Sequence, residues 1–326
     1  MAAMTRLTVA IVQQPAALLD LAESVRRAAT AVTRAAADGA RLVVFPETWL
    51  TGYPAWVFGL AGWKDPAAQH WHRLLLEQSP VIGPADRVDD DVQPIRAAAA
   101  KAGVTVVIGV NERAGRTGGT LFNSSLTIGP DGLTANLHRK LTPTHTERIV
   151  WAAGDGAGLD VVDVDGATIG SLICWEHFNP LARQALHVRG EEIHVAHWPD
   201  MADSHQIAAR FYALEGRCFV ISAAQILDTA DVPADLLEPF RAGIGPDAPD
   251  QGWLFDGGSS IAGPDGNWIV PPVFAEARII TADLVLGRRY EESLDLDVAG
   301  HYSRPDVFNL TVNRRRPPAG GVIFTN

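Results

Sequence analysis

The chain contains 326 residues, of which 47% are hydrophobic and 20% charged, a composition typical of an ordinary globular protein with a large core. Asp and Glu number 38 against 27 Lys and Arg, so the formal net charge is −11. This excess of negative charge argues against nucleic acid or an anionic membrane surface as the main partner.

The amino-terminal residues 1–17 do not form a convincing signal peptide, because the apolar run 7–12 is interrupted by Thr8 and followed by two glutamines. No apolar stretch approaches the length that a membrane span needs. Two cysteines make a poor disulfide framework and favour a reducing compartment. We therefore expect a cytoplasmic protein.

Strands and helices alternate along the chain. Periodicity and turn residues predict helices at 21–35, 92–102, 181–189 and 205–216. They predict strands at 7–12, 41–45, 104–110, 121–128, 133–138, 161–164, 168–173, 193–196, 218–224, 259–262 and 268–270. This alternation predicts an α/β protein with mixed sheets covered by helices. Residues 227–251 hold several Pro, Asp and Gly and are expected to form a long surface loop, and no linker divides the chain.

Three predicted strands end where reactive polar residues begin. Glu47 follows the first, Lys140 and then Glu147 follow the second, and Cys174 follows the third. Side chains that serve a site commonly project from strand ends in α/β sheets. We therefore expect a carboxylate, an ammonium group and a thiol to meet at one edge.

This set of groups suits nucleophilic catalysis. A free thiol with a pKa near ~8.5 is mostly protonated at neutrality, so a neighbouring carboxylate is best placed as the base that takes its proton. A lysine and the backbone N–H of Trp175 can donate hydrogen bonds to a heteroatom that gains charge. Cys174 as a small buried core residue is the alternative. Glu147 has its own alternative, a structural ion pair with Arg139 or Arg148.

The segments around these residues resemble the nitrilase branch of the carbon–nitrogen hydrolase superfamily. The resemblance rests on FPETWLTGYP around Glu47, HRKLTPTHTERIVW around Lys140 and CWEHFNPLAR from Cys174, with EIHVAHWP and GHYSRPDVFNL further on. It implies a four-layer αββα sandwich and a Glu47–Lys140–Cys174 triad with Glu147 as second glutamate. The likeness covers nearly the whole chain, so we expect a single domain at 1–310, and the composition of residues 314–321 predicts an exposed tail within 311–326. The resemblance also implies no metal or organic cofactor, and subunits that form homodimers or larger homo-oligomers, including spirals.

The resemblance further implies a nitrilase, which converts an organic nitrile to a carboxylic acid and ammonia through a cysteine thioimidate and thioester. An amidase or carbamoylase, a hydratase that releases amide, and a binding module without turnover remain alternatives. His177 stands where many nitrilases carry Asn, which bears on substrate range. Candidate substrate-binding residues are Tyr53, Trp151, Trp175 and Trp198. A metal site is not expected, because His194 and His197 alternate across a predicted strand.

Overall fold

The structure is a computed structural model that describes residues 6–83 and 90–317. Within them lie thirteen strands: β1 (Arg6–Gln13), β2 (Leu42–Val44), β3 (Thr105–Arg113), β4 (Leu121–Ile128), β5 (Thr134–Arg139), β6 (Val162–Val164), β7 (Ala167–Ile173), β8 (Ile193–Trp198), β9 (Phe219–Ala224), β10 (Ile226–Asp228), β11 (Trp253–Ala262), β12 (Trp268–Phe274) and β13 (Arg278–Val285). The helices of this part of the chain are α1 (Leu21–Ala37), α2 (Pro66–Glu77), α3 (Gln93–Ala102), α4 (Pro180–His187), α5 (Asp203–Gly216), α6 (Ala234–Ile244) and α7 (Arg288–Glu292).

The strands form two mixed sheets. The first has the order β13-β1-β2-β3-β4-β5, and the second has the order β10-β11-β9-β8-β7-β6 with β12 paired to β11. At the centre of each sheet three strands run parallel, β1-β2-β3 and β7-β8-β9. Hairpin partners extend both sheets in the antiparallel sense. Because the parallel strands point the same way, their carboxyl ends share one edge.

Three of the four buried apolar clusters form layers with the sheets. Helices α1 and α3 cover the outer face of the first sheet, and α4 and α5 cover the outer face of the second. A third cluster, which includes Val9, Val107, Val195 and Ile221, fills the space between the sheets. The arrangement is helix, sheet, sheet, helix, which confirms the predicted αββα sandwich.

Several segments differ from the sequence-based expectations, and helices α2 and α7 are among the elements that were not predicted. Residues 227–251 are not one long loop, because α6 lies within them and buries Leu236 and Phe240 against the turn Ala55–Phe58. The Pro and Gly content hid this apolar face, and Pro239 is accommodated inside the helix. Strand β13 was not predicted, because as an edge strand it is largely exposed and mixes polar with apolar residues.

The segment 311–317 runs over the surface and makes specific contacts. Arg316 donates to the carbonyl of Leu137 at 2.6 Å and pairs with Asp155 at 3.0 Å, and Arg314 pairs with Asp160. The division into a domain at 1–310 and a tail at 311–326 remains a prediction. No helix in the described part of the chain is both long enough and apolar enough to cross a membrane.

Candidate active site

Strand ends deliver the predicted reactive residues to one edge of the sandwich. Glu47 follows β2 by three residues, Lys140 directly follows β5, and Cys174 directly follows β7. The segment that carries Glu47 lies against β3 at Gly109, where a Cβ atom would stand 2.2 Å from the carbonyl oxygen of Pro46. Glycine is therefore required at position 109 for Glu47 to reach the site.

Glu47, Lys140 and Glu147 form one buried cluster. Lys140 Nζ donates to Glu47 Oε1 at 3.1 Å and to Glu147 Oε2 at 2.8 Å. Asn123 also donates to Glu47 Oε1, at 2.6 Å, and Tyr53 donates to Glu147 Oε1 at 2.6 Å. Glu47 Oε2 is buried and has no hydrogen-bond partner among the described residues. One carboxylate oxygen in this cluster is thus left available.

Burial and mutual charge shift the protonation of this cluster. Desolvation raises the pKa of Glu47 to about 7, although the charge of Lys140 opposes the rise. Burial by itself would lower the pKa of Lys140, but the charges of Glu47, Cys174 and Glu147 hold it above its ordinary value. Burial and the charge of Glu47 raise the pKa of the Cys174 thiol. At neutral pH the site therefore holds a thiol, an ammonium group and a carboxylate close to its titration point.

The turn that carries Cys174 is held in an uncommon conformation. Cys174 has φ +53°, in the left-handed region that non-glycine residues rarely adopt. Glu176 accepts hydrogen bonds from the backbone N–H groups of Ile173 and Leu141, both at 2.8 Å, and pairs with His138 at 2.9 Å. Glu176 therefore joins the cysteine turn to the lysine segment.

A cavity of about 600 Å³ reaches Cys174 and Glu147, whereas Glu47 and Lys140 are fully buried behind its lining. Cys174, Glu147, Tyr53 and Trp175 are among its lining residues. The remaining lining residues are Ala55, Phe58, Thr144, Pro199, Asp200, Met201, Ala202, His205, Gly243, Ile244, Leu254, Phe255, Asp256 and Phe274. A site of this size accommodates a small organic molecule.

Trp151 and Trp198, two candidate substrate-binding residues, lie behind the lining and are almost fully buried. The Trp151 indole N–H donates to Asn111 Oδ1 at 3.0 Å, and its ring stands edge-on to Tyr53. Trp198 stacks between the rings of His177 and His205. The two tryptophans support residues at the cavity, whereas Tyr53 and Trp175 face it.

A chain of buried histidines and glutamates lies beneath the cysteine turn. His177 Nδ1 donates to the Cys174 carbonyl at 2.6 Å, and His177 Nε2 faces His194 Nε2 at 2.9 Å. His194 Nδ1 contacts Glu191 Oε2 at 2.9 Å, and His187 contacts the other Glu191 oxygen at 3.0 Å. The carbonyl and the carboxylate only accept, so the facing Nε2 atoms share one proton. This shared proton gives the pair one positive charge; burial lowers the pKa of both His177 and His194 and opposes the charge, whereas Glu191 favours it.

His197 points to the other side of β8, toward the space between the sheets. It contacts Ser125 at 2.8 Å and the carbonyl of Phe45 at 2.9 Å. His194 and His197 thus lie on opposite faces of the strand. Within residues 6–83 and 90–317, no three or more His, Cys, Asp or Glu side chains are grouped so as to hold a metal ion.

Two residues of the site were missed from the sequence. Asn123, which fixes Glu47, lies within the apolar strand β4, and a buried amide in such a strand is a signal that was available. Asp200 follows β8 by two residues and lines the cavity. It stands at a strand end, as the three predicted reactive residues do.

Comparison with known proteins agrees with this fold. Residues 8–291 match the family model described as Carbon-nitrogen hydrolase, and the chain belongs to that family. It is 37% identical over 323 residues to an aliphatic nitrilase of Sinorhizobium fredii (strain HH103), covering 98% of this chain and 99% of the relative. It is also 37% identical over 323 residues to a bifunctional nitrilase/nitrile hydratase of Oryza sativa subsp. japonica, covering 97% and 86%.

A solved structure gives an independent comparison of the fold. The carbon-nitrogen hydrolase from Helicobacter pylori G27 superposes with a TM-score of 0.66 at 18% identity, covering 89% of this chain and 93% of that one. At this identity the likeness establishes the shared fold.

Proposed function

We propose that this protein is a nitrilase, a hydrolase that converts an organic nitrile to the carboxylic acid and ammonia. The observation that carries the proposal is the buried Glu47–Lys140–Glu147 cluster beside Cys174, with one oxygen of Glu47 unpartnered. The whole-length likeness to an aliphatic nitrilase supports the choice of a nitrile over an amide or a carbamoyl compound.

In the first half-reaction the Cys174 sulfur adds to the nitrile carbon. Glu47 accepts the thiol proton, and its unpartnered Oε2 is the free acceptor for it. The nitrile nitrogen gains that proton, and a thioimidate forms. Lys140 and the Trp175 backbone N–H are the proposed donors to this nitrogen, and loss of one such donor typically costs about 3 kcal/mol of transition-state stabilisation.

In the second half-reaction water adds to the thioimidate carbon and forms a tetrahedral intermediate. Glu147 and Glu47 are the proposed bases that take a proton from this water, and Glu147 lines the cavity. Protonated nitrogen leaves as ammonia and a thioester remains. A second water then releases the carboxylic acid and restores the thiol.

The same intermediate can also expel sulfur, which releases the amide as a hydratase does. The likeness to a bifunctional nitrilase/nitrile hydratase makes this second product a specific expectation. The acid-to-amide product ratio is measured by quantifying acid, amide and ammonia separately. The substrates are aliphatic nitriles, aromatic nitriles, arylacetonitriles and cyanide. A matched amide panel tests the amidase alternative.

Replacing Cys174 by Ala tests the assignment. We expect turnover to fall by roughly 10⁴-fold or more, because no covalent intermediate can form. Cys218→Ala is the matched control, since Cys218 is also a buried free cysteine but does not line the cavity. Mass spectrometry of the wild type during turnover should show an adduct on Cys174. Ammonia release by Cys174→Ala at the wild-type rate would show the assignment to be wrong.

We also propose that the protein works in the cytoplasm as a homo-oligomer. The support is an exposed apolar face on and near α4 and α5, formed by Leu181, Val188, Ile207, Phe211 and Leu214. Two free cysteines suit a reducing compartment. Light scattering after size exclusion would measure the mass, and Phe211→Glu should lower it if this face pairs subunits.

A further inference from the structure

Asp200 lines the cavity and carries a charge to which the proposed reaction gives no role. It lies two residues beyond β8, and β8 pairs in parallel with β7 so that His197 stands opposite Ile173. The two chains therefore leave the sheet side by side, one toward Asp200 and the other toward Cys174. Asp200 and Cys174 line the same cavity, and the charge of Asp200 is among those that raise the pKa of the Cys174 thiol.

The hydrogen bonds of Asp200 fix its side chain without cancelling its charge. Asp200 Oδ1 accepts from the backbone N–H of Ala202 at 3.1 Å and lies 3.0 Å from His205 Nδ1, which donates to the Asp200 carbonyl at 3.2 Å. The Trp175 indole N–H donates to His205 Nε2 at 3.2 Å, so this ring nitrogen accepts and the ring is neutral. Burial opposes ionisation, but the bonds from His205 lower the pKa of Asp200.

The second oxygen of Asp200 remains for a ligand. No partner for Oδ2 is found in the described part of the chain, and 45% of the side chain is exposed at the cavity. Its surroundings are mainly apolar, with Met201, Phe255 and Phe274 among the lining residues. A fixed carboxylate against apolar walls binds a cation or a hydrogen-bond donor and repels an anion.

The rest of the cavity adds no compensating positive charge. None of the described lining residues is Lys or Arg, and a further acid, Asp256, lines it; Glu147 also lines it but is paired with Lys140. The ammonium group of Lys140 lies between Glu47 and Glu147 and is neutralised by them. The lining therefore presents a net negative charge to an entering substrate.

We infer that Asp200 selects nitriles by the charge of the group that they carry, favouring an ammonium or hydroxyl group and excluding a carboxylate. This inference rests on the proposed nitrilase function. It has a consequence for dinitriles, whose first hydrolysis creates a carboxylate on the remaining nitrile. Such a cyano acid is a poor second substrate, so hydrolysis of a dinitrile stops after one nitrile group.

The test uses four nitriles with the same five-methylene chain: heptanenitrile, ω-aminohexanenitrile, ω-cyanohexanoate and pimelonitrile. In the wild type we expect kcat/KM for the ammonium nitrile to exceed that for the carboxylate nitrile by about 100-fold, and pimelonitrile to accumulate ω-cyanohexanoate. In Asp200→Asn each charged-to-neutral ratio should move toward one by about 10-fold, as for one partly exposed charge pair. Heptanenitrile is the reference, because any effect of Asp200 on the thiol cancels in the ratio.

Asp203→Asn is the matched control, since Asp203 is exposed at the start of α5 and does not line the cavity; its ratios should equal those of the wild type. Added salt provides a test without any variant and should bring the wild-type ratios closer together. The inference would be overturned if the charged-to-neutral ratios of kcat/KM stayed within twofold of the wild-type values both in Asp200→Asn and in added salt. Equal wild-type use of the ammonium and carboxylate nitriles would overturn it too. Turnover of heptanenitrile in either case leaves the nitrilase function standing, whereas no turnover of any nitrile overturns both.

Discussion

Two buried charged clusters lie on either side of the Cys174 turn, and they differ in how fully their hydrogen bonds are made. The Glu47–Lys140–Glu147 cluster reaches the cavity through Glu147 and leaves Glu47 Oε2 without a partner in the described chain. In the histidine chain, Glu191 accepts from His187, His194 and Tyr212, so both of its oxygens are engaged. An unsatisfied buried oxygen is costly and is kept where chemistry uses it, whereas a saturated network fixes a structure. We therefore expect the first cluster to govern rate and the second to govern stability.

The largest effect should come from removing the base. In Glu47→Gln we expect kcat to fall by about 10²–10⁴-fold, because the amide cannot take the thiol proton. The midpoint of thermal unfolding should change little, because Lys140 keeps Glu147 as its carboxylate partner and the raised pKa of Glu47 shows that burial outweighs its ion pair, whereas the pKa of Glu191 is lowered to about 2. Glu77→Gln on the exposed side of α2 is the control. A variant that keeps its activity would remove Glu47 from the mechanism.

The counterpart in the second cluster is Glu191→Gln. It leaves His187 and His194 without their carboxylate partner, and breaking a buried ion pair in this way costs about 3–5 kcal/mol of unfolding free energy. Urea titration measures this loss. The folded fraction should retain kcat within a few-fold of the wild type. If kcat falls instead while stability holds, the contrast between the clusters is wrong.

The pH dependence of stability should report the histidine chain. Burial alone lowers the pKa of His187, but its bonds to Glu191 and Glu215 outweigh burial and raise the pKa to about 9. A raised pKa gives stability that is fully present below the unfolded pKa of about 6.5 and is lost as pH rises through about 9. The rise in the pKa of His187 from about 6.5 to about 9 corresponds to about 3 kcal/mol of unfolding free energy. Urea titrations between these limits should show the decline in the wild type, and His187→Gln should flatten it.

The pH dependence of the rate should report the other cluster. Desolvation raises the pKa of Glu47 to about 7, and the base must be ionised to act. The value of kcat/KM for a neutral nitrile should therefore fall about tenfold for each pH unit below about 7 and level off above it. If kcat/KM instead began to fall only near pH 4.3, about the ordinary pKa of a glutamate, water would reach Glu47 or another group would be the base.

The reactive residues and the layered fold were predictable because both rest on local patterns. The apolar runs that precede Glu47, Lys140 and Cys174 predicted the strand ends at which these residues lie. The alternation of strands and helices predicted the layers of the fold. Contacts distant in sequence were not predictable in this way. Asn123 reaches Glu47 across 76 positions, and α6 supplies a cavity wall because its apolar face meets the turn Ala55–Phe58. The positions of Trp151 and Trp198 behind the cavity likewise depend on tertiary packing.

Gly109 has no functional group, yet the position of a reactive side chain depends on it. Its α-carbon lies so close to Pro46 and Thr48 that an added methyl group would push the backbone of Glu47 away from β3. From the sequence alone, a substitution of Gly109 would look like a change within an ordinary buried strand. Anyone redesigning the core of this sandwich for heat resistance should keep residue 109 fixed along with the acid, the amine and the thiol.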